Sequence, residues 1–486
     1  MNIRQIVWHV KKCVAFTAMA GTLIPLSVQA QTAPKPVGPV PNPRQIEWYH
    51  REIIAFFHFG MNTFTNDNEG DGKASPKMFN PTALNCKQWT SVLKKAGIPC
   101  AILVAKHADG FCNWPSAYTD YSVKNSLWKN GKGDVVKEFT DACKIAGIKA
   151  AIYLGPHDRH DSRYGTPAYS DYYASQLSEL LRNYGRIWEI WWDGAGADKL
   201  TTEFYTRWAD TVRRLQPQCV VFGTKNSYRF ADCRWVGNES GFSGDPCWST
   251  IHPNSIKEEA EHIKELNEGE IDGDAYVPAE VDVSIRPSWF YHPEEDTKVK
   301  SLATLWDIYF NSVGRNSVLL LNYPPNKQGL IPAVDAQRTD SLRWLINNTF
   351  KTNLAKGASI RSLHPRHAKF SPVNLTDNNE RTYYATTDAF TTDTITFQLA
   401  SAKTFDVLKV QEVIELGHRT TGWSVDYSTD GTNWIAIPEA TGKQSIGYKW
   451  LIKFKPVTAT HVRLRITAGK ACPAIHSFGI YKQPKL

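Results

Sequence analysis

The chain of 486 residues carries 56 Lys and Arg against 48 Asp and Glu, a formal charge of +8, with 42% apolar residues. Its basic residues are scattered among acids, which excludes a nucleic-acid footprint, and no run beyond the amino terminus approaches the ~20 apolar residues of a membrane span. At roughly 150 residues per domain, stretched for barrels, this length implies one large domain and at least one smaller one.

Residues 1–30 read as a secretory signal: Arg4, Lys11 and Lys12, then the apolar stretch Cys13–Val28, then Val28-Gln29-Ala30 as a small-residue cleavage site. The mature protein is therefore expected to be exported, periplasmic or secreted. Removing the segment removes three cations and no acid, so the charge falls to about +5. Cys13 follows two lysines rather than the short triplet of a lipid-anchor site, which favours a soluble form. The other cysteines (86, 100, 112, 143, 219, 233, 247 and 472) are spread without a CxxC pair and read as buried residues, although export allows oxidation of any that lie close.

Residues 31–44 are Pro-rich and read as an extended leader. A catalytic domain is expected over 45–350, its fold starting near Trp48. Apolar runs at Ile53–Phe59, Ala101–His107, Ala150–Pro156, Ile187–Trp192, Cys219–Phe222, Arg234–Gly237, Ala279–Val283 and Val318–Leu321 supply eight candidate strands. Helical patterns fill the intervals at Cys86–Ala96, Asp134–Ala146, Ser170–Asn183, Glu203–Leu215 and Lys298–Ser312. A weak repeat, Lys-Lys-Ala-Gly-Ile98 and Lys-Ile-Ala-Gly-Ile148, ends a helix on Gly just before a strand. The alternation predicts an α/β fold, a (β/α)8 barrel-like catalytic domain, with a doubly wound sheet as the other candidate. No GxGxxG follows a strand, which counts against a dinucleotide site. From 351 to 486 short alternating segments between Gly, Asn, Asp and Pro predict an all-β sandwich, or jelly roll.

Several candidate strands end on polar residues: His58, His107 with Asp109, His157 with His160, Asp193, Glu239 and Glu280. In a parallel barrel the carboxyl ends of the strands carry the chemistry. Asp193 closes the run Trp191-Trp192-Asp193-Gly194, so it reads either as a helix cap or as a carboxylate handed to a pocket between indoles. The imidazoles have neither HxH nor HExxH spacing, and no catalytic metal is expected.

Phe57-His-Phe-Gly60 with Asn62-Thr-Phe-Thr65, Lys106-His107 with Asp109-Gly-Phe111, Trp191-Trp-Asp-Gly194, Ala279–Pro287 with Trp289-Phe-Tyr-His292, and Leu319–Asn326 resemble glycoside hydrolase family 29, the α-L-fucosidases. The match runs from about Trp48 to Ile346 and is similar above all to the subfamily acting on α-1,3/1,4-linked fucose. The resemblance implies an exported retaining exo-glycosidase acting on fucosylated oligosaccharides or glycoconjugates. It places the nucleophile on Asp193 and the general acid/base on Glu239, with Glu280 the rival, and substrate contacts on His58, Glu69, His107, Tyr153, His157, Trp192 and Trp289.

Three positions depart from that pattern. Ala108 stands where most relatives have a second His, Asn68-Glu69 stands where they have Glu-Trp, and His157 stands where the subfamily often has Trp. A remodelled donor pocket admits another L-hexose, L-galactose or L-glucose, and pocket erosion admits a non-catalytic glycan-binding protein. Asn353–Ala358, Leu375–Asn378 with Tyr383–Thr386, and Val425–Trp434 resemble the discoidin-like (F5/8 type C) fold, often a carbohydrate-binding module. That resemblance would place a structural calcium near Asp377, in the Asp377–Arg381 loop; no cofactor is implied for catalysis. Nothing in the sequence sets the oligomeric state.

Overall fold

A computed structural model describes residues 32–485. The signal segment 1–30 lies outside the described residues. Among the described residues no helix is long and apolar enough to cross a membrane.

All eight expected strands form, as β1 (Ile53–Phe57), β2 (Cys100–Lys106), β3 (Lys149–Leu154), β4 (Glu189–Trp191), β5 (Val220–Gly223), β6 (Cys233–Trp235), β7 (Ala279–Ser284) and β8 (Val318–Asn322). They close into a parallel barrel of order β1-β8-β7-β6-β5-β4-β3-β2. Successive side chains on a strand point to opposite faces, so one set fills the barrel and the other meets the helices. Ile54, Phe56, Ile102, Val104, Ala151, Tyr153, Trp191, Phe222 and Leu320 pack together inside. Ile53, Ala55, Phe57, Leu103, Ile152, Ile190 and Leu321 join the outer layer with helix residues such as Trp89, Phe139, Leu177 and Trp208.

The fold begins earlier than Trp48. Helix α1 (Pro43–Tyr49) is started by Asn42, whose side chain accepts from the Arg44 and Gln45 N–H groups while Gln45 Oε1 accepts from Asn42 N–H. The segment before it forms no helix or strand, yet is held: Val37 N–H donates to Leu416 O (3.0 Å) and Arg419 Nη1 to Lys35 O (2.8 Å).

The outer helices are α2 (Cys86–Lys95), α3 (Val135–Ala146), α4 (Pro167–Asn183), α5 (Thr202–Leu215), α6 (Leu302–Asn311) and α7 (Ala333–Phe350). The last has no counterpart in the sequence reading. Its buried positions include Asp335, Thr339 and Thr349 beside Leu342, Leu345 and Ile346, so no clean apolar stripe announces it. Asp335 is buried because Arg286, following β7, binds it with two parallel 2.8 Å bonds.

The carboxyl-terminal domain is an antiparallel sheet system built on two 20-residue strands. Strands β9 (Ser359–Ser362), β10 (Tyr384–Ala385), β11 (Asp393–Glu412), β12 (Thr420–Ser428), β13 (Ile435–Ala436), β14 (Trp450–Gly469) and β15 (Ala474–Tyr481) run in the order β10-β15-β11-β14-β12-β13, with β9 also on β11. The β11–β14 pairing breaks register between Gln398 and Lys403. This domain docks at the amino-terminal ends of β1 and β8: Tyr448 stacks on Tyr49 (4.9 Å), Tyr448 N–H donates to Asn316 Oδ1 (2.8 Å), and Lys449 pairs with Glu52. All eight described cysteines are buried and unpaired.

Without Asp335 the buried Arg286 keeps only the half-exposed Asp296, at 2.8 Å, as counter-charge, and stripping a buried charge of its main partner is costly. Asp335→Ala is expected to destabilise the protein by about 3 kcal/mol, read as a lowered denaturant midpoint. An unchanged midpoint would show that α7 does not depend on the Arg286 contact.

Candidate active site

A cavity of about 200 Å³ opens at the carboxyl ends of the strands. Its wall includes Phe56, His58, His107, Tyr153, Trp191, Asp193, Glu239 and Trp289. Asp193 follows β4, and Tyr153 on β3 donates its hydroxyl to Asp193 Oδ2 (2.8 Å) while Ala195 N–H donates to Oδ1 (2.8 Å). Burial and the neighbouring Asp193 charge hold the Tyr153 phenol well above its ordinary range, so it stays a donor.

Glu239 follows β6 and stands at the mouth. Its Oε2 accepts from the Trp289 indole N–H (3.1 Å). Although open to the cavity space, the carboxyl is surrounded by enough protein for desolvation to raise its pKa, and Asp193 adds to the rise against the lowering bond from Trp289. The site thus pairs a carboxylate held by two donors with a second carboxyl inclined to keep its proton, the division of labour of an acid and a nucleophile.

His58 follows β1, and its Nδ1 lies 2.9 Å from Asn322 Oδ1 on β8. Asn322 is oriented in turn by donating to Ser284 Oγ and to Trp289 O. Burial keeps His58 well below the ordinary histidine range, with His107 second, and burial lowers His107 too. Both rings are therefore neutral near pH 7, able to donate and accept hydroxyl hydrogen bonds.

Three expected contacts lie elsewhere. Trp192 is fully buried outside the barrel, against Tyr205 and Trp208, because strand alternation sends it opposite to Trp191 and Asp193; the indole in the cavity is Trp191. Glu69 is exposed and pairs with Arg159, and His157 packs against the Tyr164 ring (4.9 Å); neither lines the cavity. Asn68 instead turns its Oδ1 to the Phe290 N–H (3.3 Å) and His292 Nε2 (3.4 Å). Glu280 is sealed below the cavity, accepting from Trp48 Nε1 (3.1 Å) and Trp191 Nε1 (2.9 Å), which removes it as acid/base. It shares the barrel interior with Glu189, which pairs with Arg51 at 2.7 Å, and burial lifts both carboxyls.

Two acidic residues that the sequence reading passed over also line the cavity. Asp282 lies on β7 two residues after Glu280, therefore on the same face, and accepts from Trp235 Nε1 (3.1 Å). Burial first, then Glu239, pushes it well above the carboxylate range. Glu259 reaches the opposite wall from the β6–β7 connection. Burial raises its pKa despite bonds from Tyr228 and Lys225.

In the carboxyl-terminal domain Asp377 Oδ1 accepts from Asn379 N–H (2.9 Å) and Oδ2 from Thr382 Oγ1 (2.7 Å). It belongs to no group of three or more His, Cys, Asp or Glu ligands among the described residues.

A closed barrel presenting carboxyls between aromatic walls at its carboxyl face is the layout of a glycoside hydrolase. Comparison with known proteins agrees. The Alpha-L-fucosidase family model matches residues 37–349, and the F5/8 type C domain model matches 359–478. The chain is 39% identical to Alpha-L-fucosidase 1 of Arabidopsis thaliana, covering 92% of this chain and 88% of that one. A crystal structure from Bacteroides thetaiotaomicron is 62% identical with TM-score 0.92, covering 93% and 99% of the two chains. A Ruminococcus gnavus GH29 fucosidase in complex with fucose is 31% identical with TM-score 0.84, covering 94% and 98%. The chain belongs to the alpha-L-fucosidase family of glycoside hydrolases.

A group that must donate a proton is active below its pKa and fails above it. With Glu239 as the proton donor, kcat/KM is expected to fall on the alkaline side with a midpoint above the ordinary glutamate value of 4.5. A pH–rate profile flat from acid to alkaline would remove Glu239 from that role.

Proposed function

We propose that the protein is an exported enzyme that removes terminal α-1,3/1,4-linked L-fucose from glycans with retention of configuration. The observation that carries this reading is the setting of Asp193 and Glu239 on one cavity, the first with both oxygens oriented by donors and the second inclined to keep its proton. Asp193 attacks the anomeric carbon while Glu239 protonates the departing oxygen. The bond to the leaving group breaks as the bond to Asp193 Oδ forms. Glu239, now ionised, then takes a proton from water, and the water oxygen displaces Asp193 from the same face as the lost group. Fucose as donor is supported by the relative solved in complex with it.

Early-time NMR of an α-L-fucoside digest is expected to show α-L-fucose before the β anomer; β first would overturn retention. Asp193→Gly is expected to abolish turnover, and added azide to restore release of the leaving group by taking the fucosyl group with inversion as β-L-fucosyl azide. Undiminished hydrolysis in the variant would remove Asp193 from the mechanism.

A second donor reading rests on a specific observation. Ala108 takes the place of an imidazole, and the Asn68-Glu69 pair sends no carboxylate into the cavity, so fewer groups are present to grip the ring hydroxyls. Sites built to hydrogen-bond a hydroxyl discriminate strongly against sugars that mispresent it, and loss of such groups relaxes that discrimination. In a panel of aryl α-L-glycosides the fucoside is expected to be turned over fastest, with the L-galactoside within about 100-fold of it. Faster turnover of the L-galactoside or L-glucoside would reassign the donor.

A further inference from the structure

The cavity has two unlike sides. In the eight-strand ring β5 lies diametrically opposite β1. The β1–β3 side presents His58, His107 and Tyr153, with Trp289 beside them, while the β5 side presents Thr224, Lys225 and Glu259. Asp193 follows β4 and Glu239 follows β6, so the two catalytic carboxyls flank the β5 end. A sugar held by the imidazoles with its anomeric carbon at Asp193 therefore projects its leaving group toward β5.

Glu259 is fixed there by one oxygen only. Its Oε1 accepts from Lys225 N–H (2.8 Å) and from the Tyr228 hydroxyl (2.6 Å). Lys225 sits at φ +40°, in the left-handed region that non-glycine residues rarely adopt, and its N–H makes the first of those bonds. The Lys225 ammonium is engaged elsewhere, with Asp198 at 2.5 Å, and does not neutralise Glu259 by direct contact. Glu259 Oε2 has no hydrogen-bond partner among the described residues. It lies over Gly194, immediately after the nucleophile, 3.3 Å from where a Cβ on that glycine would stand. Glu259 is half-buried and stands on the cavity wall with Oε2 open to the cavity, where an incoming hydroxyl can donate to it.

We propose that Glu259 is a specificity-determining residue on the leaving-group side, its Oε2 accepting a hydrogen bond from a hydroxyl of the sugar that departs. This rests on the roles given to Asp193 and Glu239 above. The enzyme then turns over a sugar leaving group better, relative to an aryl one, than leaving-group acidity alone allows, since acidity favours the aryl group. Two substrates with the same donor separate the effect: α-L-fucosyl-(1→4)-N-acetylglucosamine carries hydroxyls on its leaving group, and 4-nitrophenyl α-L-fucoside carries none at that position.

In Glu259→Gln and Glu259→Ala the ratio of kcat/KM for the disaccharide to kcat/KM for the aryl fucoside is expected to fall about 10- to 100-fold, the range for a hydrogen bond to a charged group. Melting temperature checks the Oε1 anchor in both variants, and the aryl fucoside reports separately that Asp193 and Glu239 still work. Equal losses on both substrates, or no loss on either, overturn the proposal. If the unsubstituted enzyme turns over neither fucoside but does hydrolyse another α-L-glycoside, the donor assignment has failed, and the Glu259 ratio is then measured on that donor.

Discussion

The two-residue period of a strand inside a closed parallel ring is the constraint on which the rest of this molecule depends. Because every second side chain must enter the barrel, a strand contributes to the cavity only at alternate positions, and the last inward position before the loop is the one that meets substrate. Phe56 and His58, Tyr153, Trp191 and Asp193, and Asp282 all obey it. One register step on β4 would exchange Asp193 for Trp192 and bury the carboxylate against Trp208.

The barrel was legible because its strands are unbroken apolar runs and its helices end on glycines such as Gly97 and Gly147, both at positive φ. Helix α7 was not, since its inner face mixes Asp335 and Thr339 with leucines and gains its stability from Arg286, far away in sequence. His58, His107, Tyr153, Asp193, Glu239 and Trp289, all marked in the sequence, do line one cavity. Trp192 is the exception: with Asp193 facing inward, strand parity points to Trp191 as the cavity indole. Asp282 was open to the same argument from Glu280. Glu259 was not, because it arrives on an irregular connection whose path no periodicity describes.

Beneath the cavity the barrel holds a layer of charge. Arg51 and Glu189 pair at 2.7 Å, and Glu280 is capped by the indoles of Trp48 and Trp191. Trp191 therefore has two faces of work: its ring closes the cavity floor, and its N–H satisfies the acid below. This explains how a carboxyl so near the chemistry is kept out of it. Its hydrogen-bond capacity is already used by groups that also wall it off from the sugar.

The docking of the carboxyl-terminal domain has a consequence for that layer. Tyr448 stacks on Tyr49 at the end of the barrel opposite the mouth, and Ile414 joins the same buried cluster as Trp48, Phe56 and Trp191. The sandwich is thus part of the low-dielectric enclosure around Arg51, Glu189 and Glu280. Were it displaced, water would reach these charges from below and weaken the electrostatics under the cavity without a single residue of its wall being touched. Whatever else this domain does, it helps to keep the inside of the barrel dry.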